Sequence, residues 1–267
     1  MAEKYIFFDA DGTILDIKRG IPEDAKLAIR QLVANGHKAF LCTGRSRAFI
    51  PKEALELPFS GIISNMGAYI EYQGKPVYDF ELPLDTARHA MEVLRQNGLV
   101  PVMEGNAHMY YDLDEYTTEV DWFADLITQV LGDKHRTIRG NEDNLHINKI
   151  SAKRLPGCNA EKAVSELSDI FDAIWHEGAF VGSTVEMIAK GHSKGIALAV
   201  LTGVLGVDFE DTVAFGDSNN DIDMFKAVKT KVAMGDATPE MIRMASFVTE
   251  PLFEGGISNG LRKLGVI

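Results

Sequence analysis

The chain alternates short apolar runs with amphipathic stretches, and the spacing changes character twice along its length. Tyr5-Ile6-Phe7-Phe8 is an unbroken apolar run and predicts a buried strand over residues 4–9. Between residues 22 and 35, Ala25, Leu27, Ala28, Ile29, Leu32 and Val33 recur at helical spacing. Pro22 suits the first turn of that helix and Gly36 its stop. The same reading gives strands at 37–42 and 61–64 with a short helix at 46–55 between them. Two further strands, 68–72 and 75–80, flank the turn Gln73-Gly74. An early β-α-β-α-β order predicts a parallel sheet covered by helices.

After residue 83 the pattern mixes hairpins with helices. It predicts helices at 84–97, 114–131 and 160–171, and strands at 99–103, 108–111, 146–152, 173–176 and 184–188. That mixture suits an α+β unit with antiparallel strands. From residue 193 the first pattern returns. Helices are expected at 193–205, 220–228, 239–245 and 257–264, with strands at 212–215, 231–234 and 247–248. The fold class expected is therefore α/β: a Rossmann-like parallel-sheet core with helices on both faces. Residues 1–82 and 189–267 build that core, and an α+β domain at 83–188 is inserted into it. Pro83 and Lys190-Gly191 mark the insertion.

Four polar clusters fall at the ends of predicted core elements. Asp9-Ala10-Asp11-Gly12-Thr13 follows the first strand, at the end where open α/β sheets form ligand sites. Two carboxylates there can hold a divalent cation, and one can attack while the other moves a proton. Read alone, the stretch is also an ordinary Asp-Gly turn. Thr43-Gly44-Arg45 follows the second strand and offers a hydroxyl and backbone N–H groups to phosphate oxygens; by itself it reads rather as a capping turn. Lys194 opens a helix, where its charge is unfavourable and suggests an anionic partner; read alone it is equally a solvated surface lysine with Ser193 as the cap. Gly216-Asp217-Ser218-Asn219-Asn220-Asp221 follows the strand at 212–215 and offers hard oxygen ligands or a lysine partner, a plain cap-rich turn being the alternative. A helix-loop-helix calcium site is excluded there, because Ile222 replaces the sixth-position glycine and Val228 the twelfth-position glutamate. Jointly the clusters provide a nucleophile, an acid/base, a metal site, a hydroxyl and a cation around one anionic group.

Composition narrows the partners. With 46% hydrophobic and 25% charged residues, the 267-residue chain can build a sizeable core. Its net charge of −12 and the absence of a basic stripe argue against a nucleic-acid partner. No run of 18 apolar residues is present, so no membrane span is expected. Cys42 and Cys158 form no CxxC pair or disulfide framework, and no signal peptide is read at the start, so a cytoplasmic location is expected.

With these motifs in this order, the chain resembles the haloacid dehalogenase-like (HAD) superfamily hydrolases of the Cof-like sugar-phosphatase type, which carry a large α/β cap. The resemblance spans nearly the whole core. It implies a phosphatase acting on a small phosphorylated metabolite, with Mg2+ as cofactor and an aspartyl-phosphate on Asp9. It makes Asp11 the acid and then the base. Thr43, Gly44, Lys194 and Asn220 would bind the phosphoryl group. Asp9, the backbone carbonyl of Asp11 and Asp217 would hold the metal, with Asp221 orienting the lysine or a metal-bound water. Two departures stand out: Ala10 replaces a bulkier apolar residue, and Met66 is added within Asn65-Met66-Gly67-Ala68. A phosphomutase or phosphotransferase on the same core, and a phosphorylatable signalling module, are the alternatives, and the oligomeric state stays open. Glu104, Asn106, His108, Tyr110, Arg136, Arg139, His146, Asn148 and His176 are the polar candidates for substrate contact in the insertion. Tyr110, Tyr111, Trp122 and Phe123 are expected in its core.

Overall fold

The structure, a computed structural model, describes residues 2–115, 122–176 and 184–267, with the backbone alone for 122–126. The chain separates into two compact units. The first comprises the chain up to Arg45, Ile50–Tyr78 and Ser193–Ile267. The second comprises Ser46–Phe49 and Asp79–His192.

An eight-stranded sheet organises the first unit. Its order is Phe247–Val248, Thr230–Ala233, Thr212–Gly216, Tyr5–Phe8, Lys38–Cys42, Gly61–Ser64, Tyr69–Tyr72 and Lys75–Asp79. The first six pair in parallel and Tyr69–Tyr72 runs antiparallel to Gly61–Ser64. The middle strands are buried on both sides, which is why Ile6, Phe7 and Phe8 read as one apolar run rather than an alternation. Phe7 stacks on Phe40 at 4.7 Å and Phe8 on Phe215 at 5.1 Å. Helix Glu23–Ala34 packs beside Gly256–Lys263, and helix Lys194–Leu205 beside Ile222–Lys226.

The strand order determines where the chemistry collects. From Tyr5–Phe8 the chain steps outward through Lys38–Cys42 to Gly61–Ser64, then later builds the other half outward from Thr212–Gly216. The direction reverses between Tyr5–Phe8 and Thr212–Gly216. Such a switch point leaves a crevice at the carboxyl ends of the two strands.

The second unit contains a six-stranded sheet in the order Phe171–His176, Thr184–Ala189, Lys149–Arg154, Leu99–Glu104, Met109–Tyr110 and His135–Arg136. All its pairs are antiparallel except the last. Met103, Ile150, Val185 and Met187 share one face with helices Leu84–Gln96 and Ala160–Glu166. The other face carries Val102, in a cluster with Ala48, Phe49 and residues of helix Trp122–Leu131.

The α/β class, the parallel core and the antiparallel insertion agree with the sequence pattern, while several boundaries differ. The expected helix 46–55 divides into a 3-10 turn Arg47–Phe49 and a helix Lys52–Leu55. Pro51 causes the break, since it lacks an N–H and disfavours helical backbone in the residue before it. The expected strand 146–152 lies at Lys149–Arg154, and the helix expected to reach 171 stops at Glu166. Phe171 enters the sheet instead, opposite Ala189. Helix Ile222–Lys226 is preceded by a 3-10 turn at Asn219–Asp221. Strand His135–Arg136 has no sequence signal. Of the expected helix 114–131, residues 116–121 lie outside the described residues, as do the side chains of Trp122 and Phe123. Among the described residues no helix is long and apolar enough to cross a membrane.

Candidate active site

Asp9 is the first residue beyond the central strand, and Asp217 the first beyond its parallel neighbour. The register Phe8↔Phe215 sets the two strand ends level, and the Asp9 N–H donates to the Phe215 carbonyl at 3.0 Å. The loop after Asp9 folds back tightly. The Ala10 carbonyl accepts from the N–H groups of Ile14 (2.9 Å) and Leu15 (2.8 Å). Gly12 sits in that loop at φ 81°, and a Cβ there would lie 2.5 Å from Asp217 Oδ2. Only glycine gives both the backbone turn and the space for this carboxylate. The buried Thr13 hydroxyl donates to Asp217 Oδ1 at 2.9 Å.

Lys194 is fully buried at the start of its helix, which Ser193 caps through an Oγ that accepts from the Ile196 N–H at 3.2 Å. Its ammonium donates to Asp9 Oδ1 (2.5 Å), Asp221 Oδ1 (2.7 Å) and Asn220 Oδ1 (3.4 Å). This explains a lysine at a helix N-terminus, since two carboxylates face it. Asp221 Oδ2 accepts from the N–H groups of Asp217 (3.1 Å) and Ser218 (3.3 Å). Both Asp221 oxygens are thus engaged, and Asp221 serves to hold the lysine and the loop.

The charges do not balance. Carboxylate oxygens of Asp9, Asp217 and Asp221 lie within 4.8 Å of one another, against the single ammonium of Lys194. Burial and then Asp221 push the Asp9 carboxyl well up, against the pull of Lys194. Burial and Asp221 likewise push Asp217 up to about 7. Burial alone would lower Lys194, but Asp221 and Asp9 outweigh it and hold the ammonium charged. Surplus negative charge on hard oxygens fits a divalent cation of the Mg2+ kind. Asp9 and Asp217 are the residues that could hold it, because each keeps one oxygen without a hydrogen bond among the described residues. The Asp11 carboxylate is not in this cluster.

Thr43 lies on the other side of Asp9. The register Phe8↔Leu41 sets the end of Lys38–Cys42 beside that of the central strand. Thr43 is buried, and its Oγ1 accepts from the Arg45 N–H at 3.1 Å. Gly44 lies against the sulfur of Met66, where an added Cβ would come within 2.9 Å. Met66, the added residue, is one of three consecutive left-handed residues, with Asn65 and Met66 at φ 52° and Gly67 at 95°. The turn passes so close to the start of the Lys194 helix that a Cβ on Gly67 would meet the Ser193 carbonyl at 2.3 Å.

The sequence reading missed two residues. Thr13 fixes Asp217. Arg45 holds Asp11 in a two-point fork, Nε to Oδ2 and Nη2 to Oδ1, both 2.7 Å. Arg45 was visible next to Thr43-Gly44, but nothing in a sequence shows where its side chain turns.

In the second unit, five of the nine polar candidates, Asn106, His108, Tyr110, Arg136 and His146, line one cavity of about 410 Å³, together with Asp79, Glu81, Ala107, Asn141 and Asn144. The others have structural partners. Glu104 is buried against Lys149 at 3.2 Å and Ser151. The Asn148 amide donates to Asp79 Oδ1 and the Phe80 carbonyl. Arg139 pairs with Asp114 at 2.7 Å, and His176 lies 3.6 Å from Glu186. Tyr110 and Tyr111 are buried, as expected.

A lysine and several carboxylates at the switch point of a parallel sheet define an α/β enzyme that handles a small anion. The sequence profile of the haloacid dehalogenase-like hydrolases matches residues 6–261, and the chain belongs to that family. It is 30% identical over 270 residues to the Bacillus subtilis (strain 168) protein named "Putative phosphatase YkrA", with all of both chains covered. It is 25% identical to the 5-amino-6-(5-phospho-D-ribitylamino)uracil phosphatase YitU of the same organism, covering 97% of this chain and 96% of the relative. The solved structure of the HAD subclass IIB sugar phosphatase BT4131 has the same fold, with a TM-score of 0.77 and 22% identity over 99% of this chain and 100% of that one. By class, the protein is a phosphoric monoester hydrolase.

Proposed function

We propose that the protein hydrolyses the phosphate monoester of a small polyhydroxylated metabolite, with Mg2+ and through an aspartyl-phosphate on Asp9. The observation that carries this reading is the meeting of Asp9, Lys194, Asp217 and Asp221 at the switch point. Mg2+ held by Asp9 and Asp217 would supply charge neutralisation for the incoming phosphate.

Phosphoryl transfer depends on in-line placement and charge neutralisation. A carboxylate and a phosphate oxygen about 4 Å apart repel by roughly 4 kcal/mol per unit charge in a partly screened site. Lys194, already on Asp9 Oδ1, offsets part of that repulsion while the Asp9 carboxylate attacks phosphorus. Asp11 gives its proton to the leaving alkoxide as the ester bond breaks. It then takes one from the water that attacks the phosphoenzyme. Thr43 and Asn220 hold phosphoryl oxygens.

The substrate class rests on two supports. One relative is named for a ribityl phosphate, and the fold is shared with a sugar phosphatase. The cavity of the second unit offers amide, imidazole, guanidinium, phenol and carboxylate groups of the kind that bind hydroxyls. A phosphate-release screen over sugar, polyol and cofactor phosphates, with and without chelator, tests the reading. Turnover is expected only with Mg2+ present and is lost in Asp9→Asn, which still folds. Near-normal turnover by Asp9→Asn would refute the nucleophile.

A further inference from the structure

Arg45 is anchored on both sides of its Cα. Its N–H donates to Thr43 Oγ1 at 3.1 Å, and its carbonyl accepts from the Asn65 N–H at 2.8 Å. Its side chain is only 7% exposed, whereas that of Asp11 is 48% exposed. Asp11 belongs to the loop after the strand, and Arg45 to the turn after the neighbouring strand. The fork therefore fixes a half-solvated carboxylate against a rigid, buried base.

Stability does not account for such a pair. Ion pairs with a solvated partner contribute about 0–1 kcal/mol. A two-point guanidinium fork adds geometry, since it sets both the position and the plane of the carboxylate. Held at both oxygens, the Asp11 carboxylate keeps one plane and one position.

We propose that Arg45 is a positioning residue for the second half of the reaction, holding the Asp11 carboxylate in the orientation from which it takes the proton of the attacking water. In that step the water oxygen bonds to phosphorus and its proton passes to Asp11. The bond from phosphorus to the Asp9 oxygen breaks, and its electron pair returns to the Asp9 carboxylate. The inference rests on the acid/base reading of Asp11 given above.

p-Nitrophenyl phosphate separates the half-reactions, because its leaving group needs no proton. With Mg2+ and rapid mixing, Arg45→Ala should release a burst of about one nitrophenolate per active site. A steady rate at least about tenfold below wild type should follow, since removing an orienting group slows the step it serves. Arg45→Lys, which keeps the charge without the fork, should recover only part of that rate, and it serves if the alanine variant does not fold. Added guanidinium ion at non-denaturing concentration should speed Arg45→Ala and leave Asp11→Asn unchanged. Inhibition by inorganic phosphate should stay within about twofold of wild type. A steady rate equal to wild type, a slow variant without a burst, or a marked loss of phosphate inhibition overturns the proposal. A burst in Asp11→Asn with none in Arg45→Ala overturns it alone. Full turnover by Asp11→Asn overturns the reading of Asp11 beneath it.

Discussion

Gly12 and Asp217 show how one small residue sets a charged one. A Cβ at position 12 meets the Asp217 carboxylate, and the backbone there is left-handed. Gly12→Ala should raise the Mg2+ concentration needed for half-maximal activity by at least about tenfold and cost roughly 1–2 kcal/mol of stability. Metal titration and denaturant melts measure the two effects. Asp217 gives a pH prediction. Its carboxyl is raised from 3.8 to about 7, so the metal-free folded protein holds a proton there that the unfolded chain releases. Its contribution to stability therefore falls as pH rises between those values. At the proposed metal site, added Mg2+ would replace the proton. The rise in Tm on adding Mg2+ should be larger at about pH 8 than at about pH 6, and Asp217→Asn should remove that dependence. Asp9, Thr43, Lys194, Asp217 and Asp221 could be picked out of the sequence as candidates because each stands at the end of a core element. Arg45 and Thr13 could not, because their parts depend on side-chain direction.

At the scale of elements, apolar runs were read well and polar sheet faces poorly. Lys149, Ser151 and Glu186 occupy strand positions that a polar/apolar alternation assigns to solvent, yet Lys149 is 1% exposed. It is held by Glu186 at 2.8 Å and Glu104 at 3.2 Å. The polar start at Lys149 also explains the displaced strand. His146-Ile147-Asn148 read as its beginning, but Asn148 turns its amide to the segment Asp79–Phe80. The network gives a stability prediction. Burial would raise Glu186, but Lys149 and His176 outweigh it and bring its carboxyl to about 2. A lowered carboxyl stabilises the fold above its unfolded value of 4.5, and the benefit is lost as pH falls toward 2. Glu186→Gln should cost about 1–3 kcal/mol near neutral pH, and the gap from wild type should close across that acid range. Urea melts at stepped pH measure it.

The whole molecule sets a strongly negative field around a site that takes an anion. A net charge of −12 slows the approach of a phosphate dianion, and salt screens the repulsion. At saturating Mg2+, kcat/KM should rise about two- to threefold as ionic strength goes from roughly 10 to 150 mM; a steady fall would contradict this. The reversal of strand order was not legible in the sequence, because hydrophobic pattern gives strands but not their neighbours. Yet that reversal places two carboxylates from positions 9 and 217 at one crevice. The most direct test of the account is to quench the enzyme with acid during turnover of a phosphorus-labelled substrate and map the label. The account predicts a single acyl phosphate, labile to alkali, on the peptide that contains Asp9 and absent from Asp9→Asn. Label on any other residue, or turnover in which no covalent label forms, would contradict it.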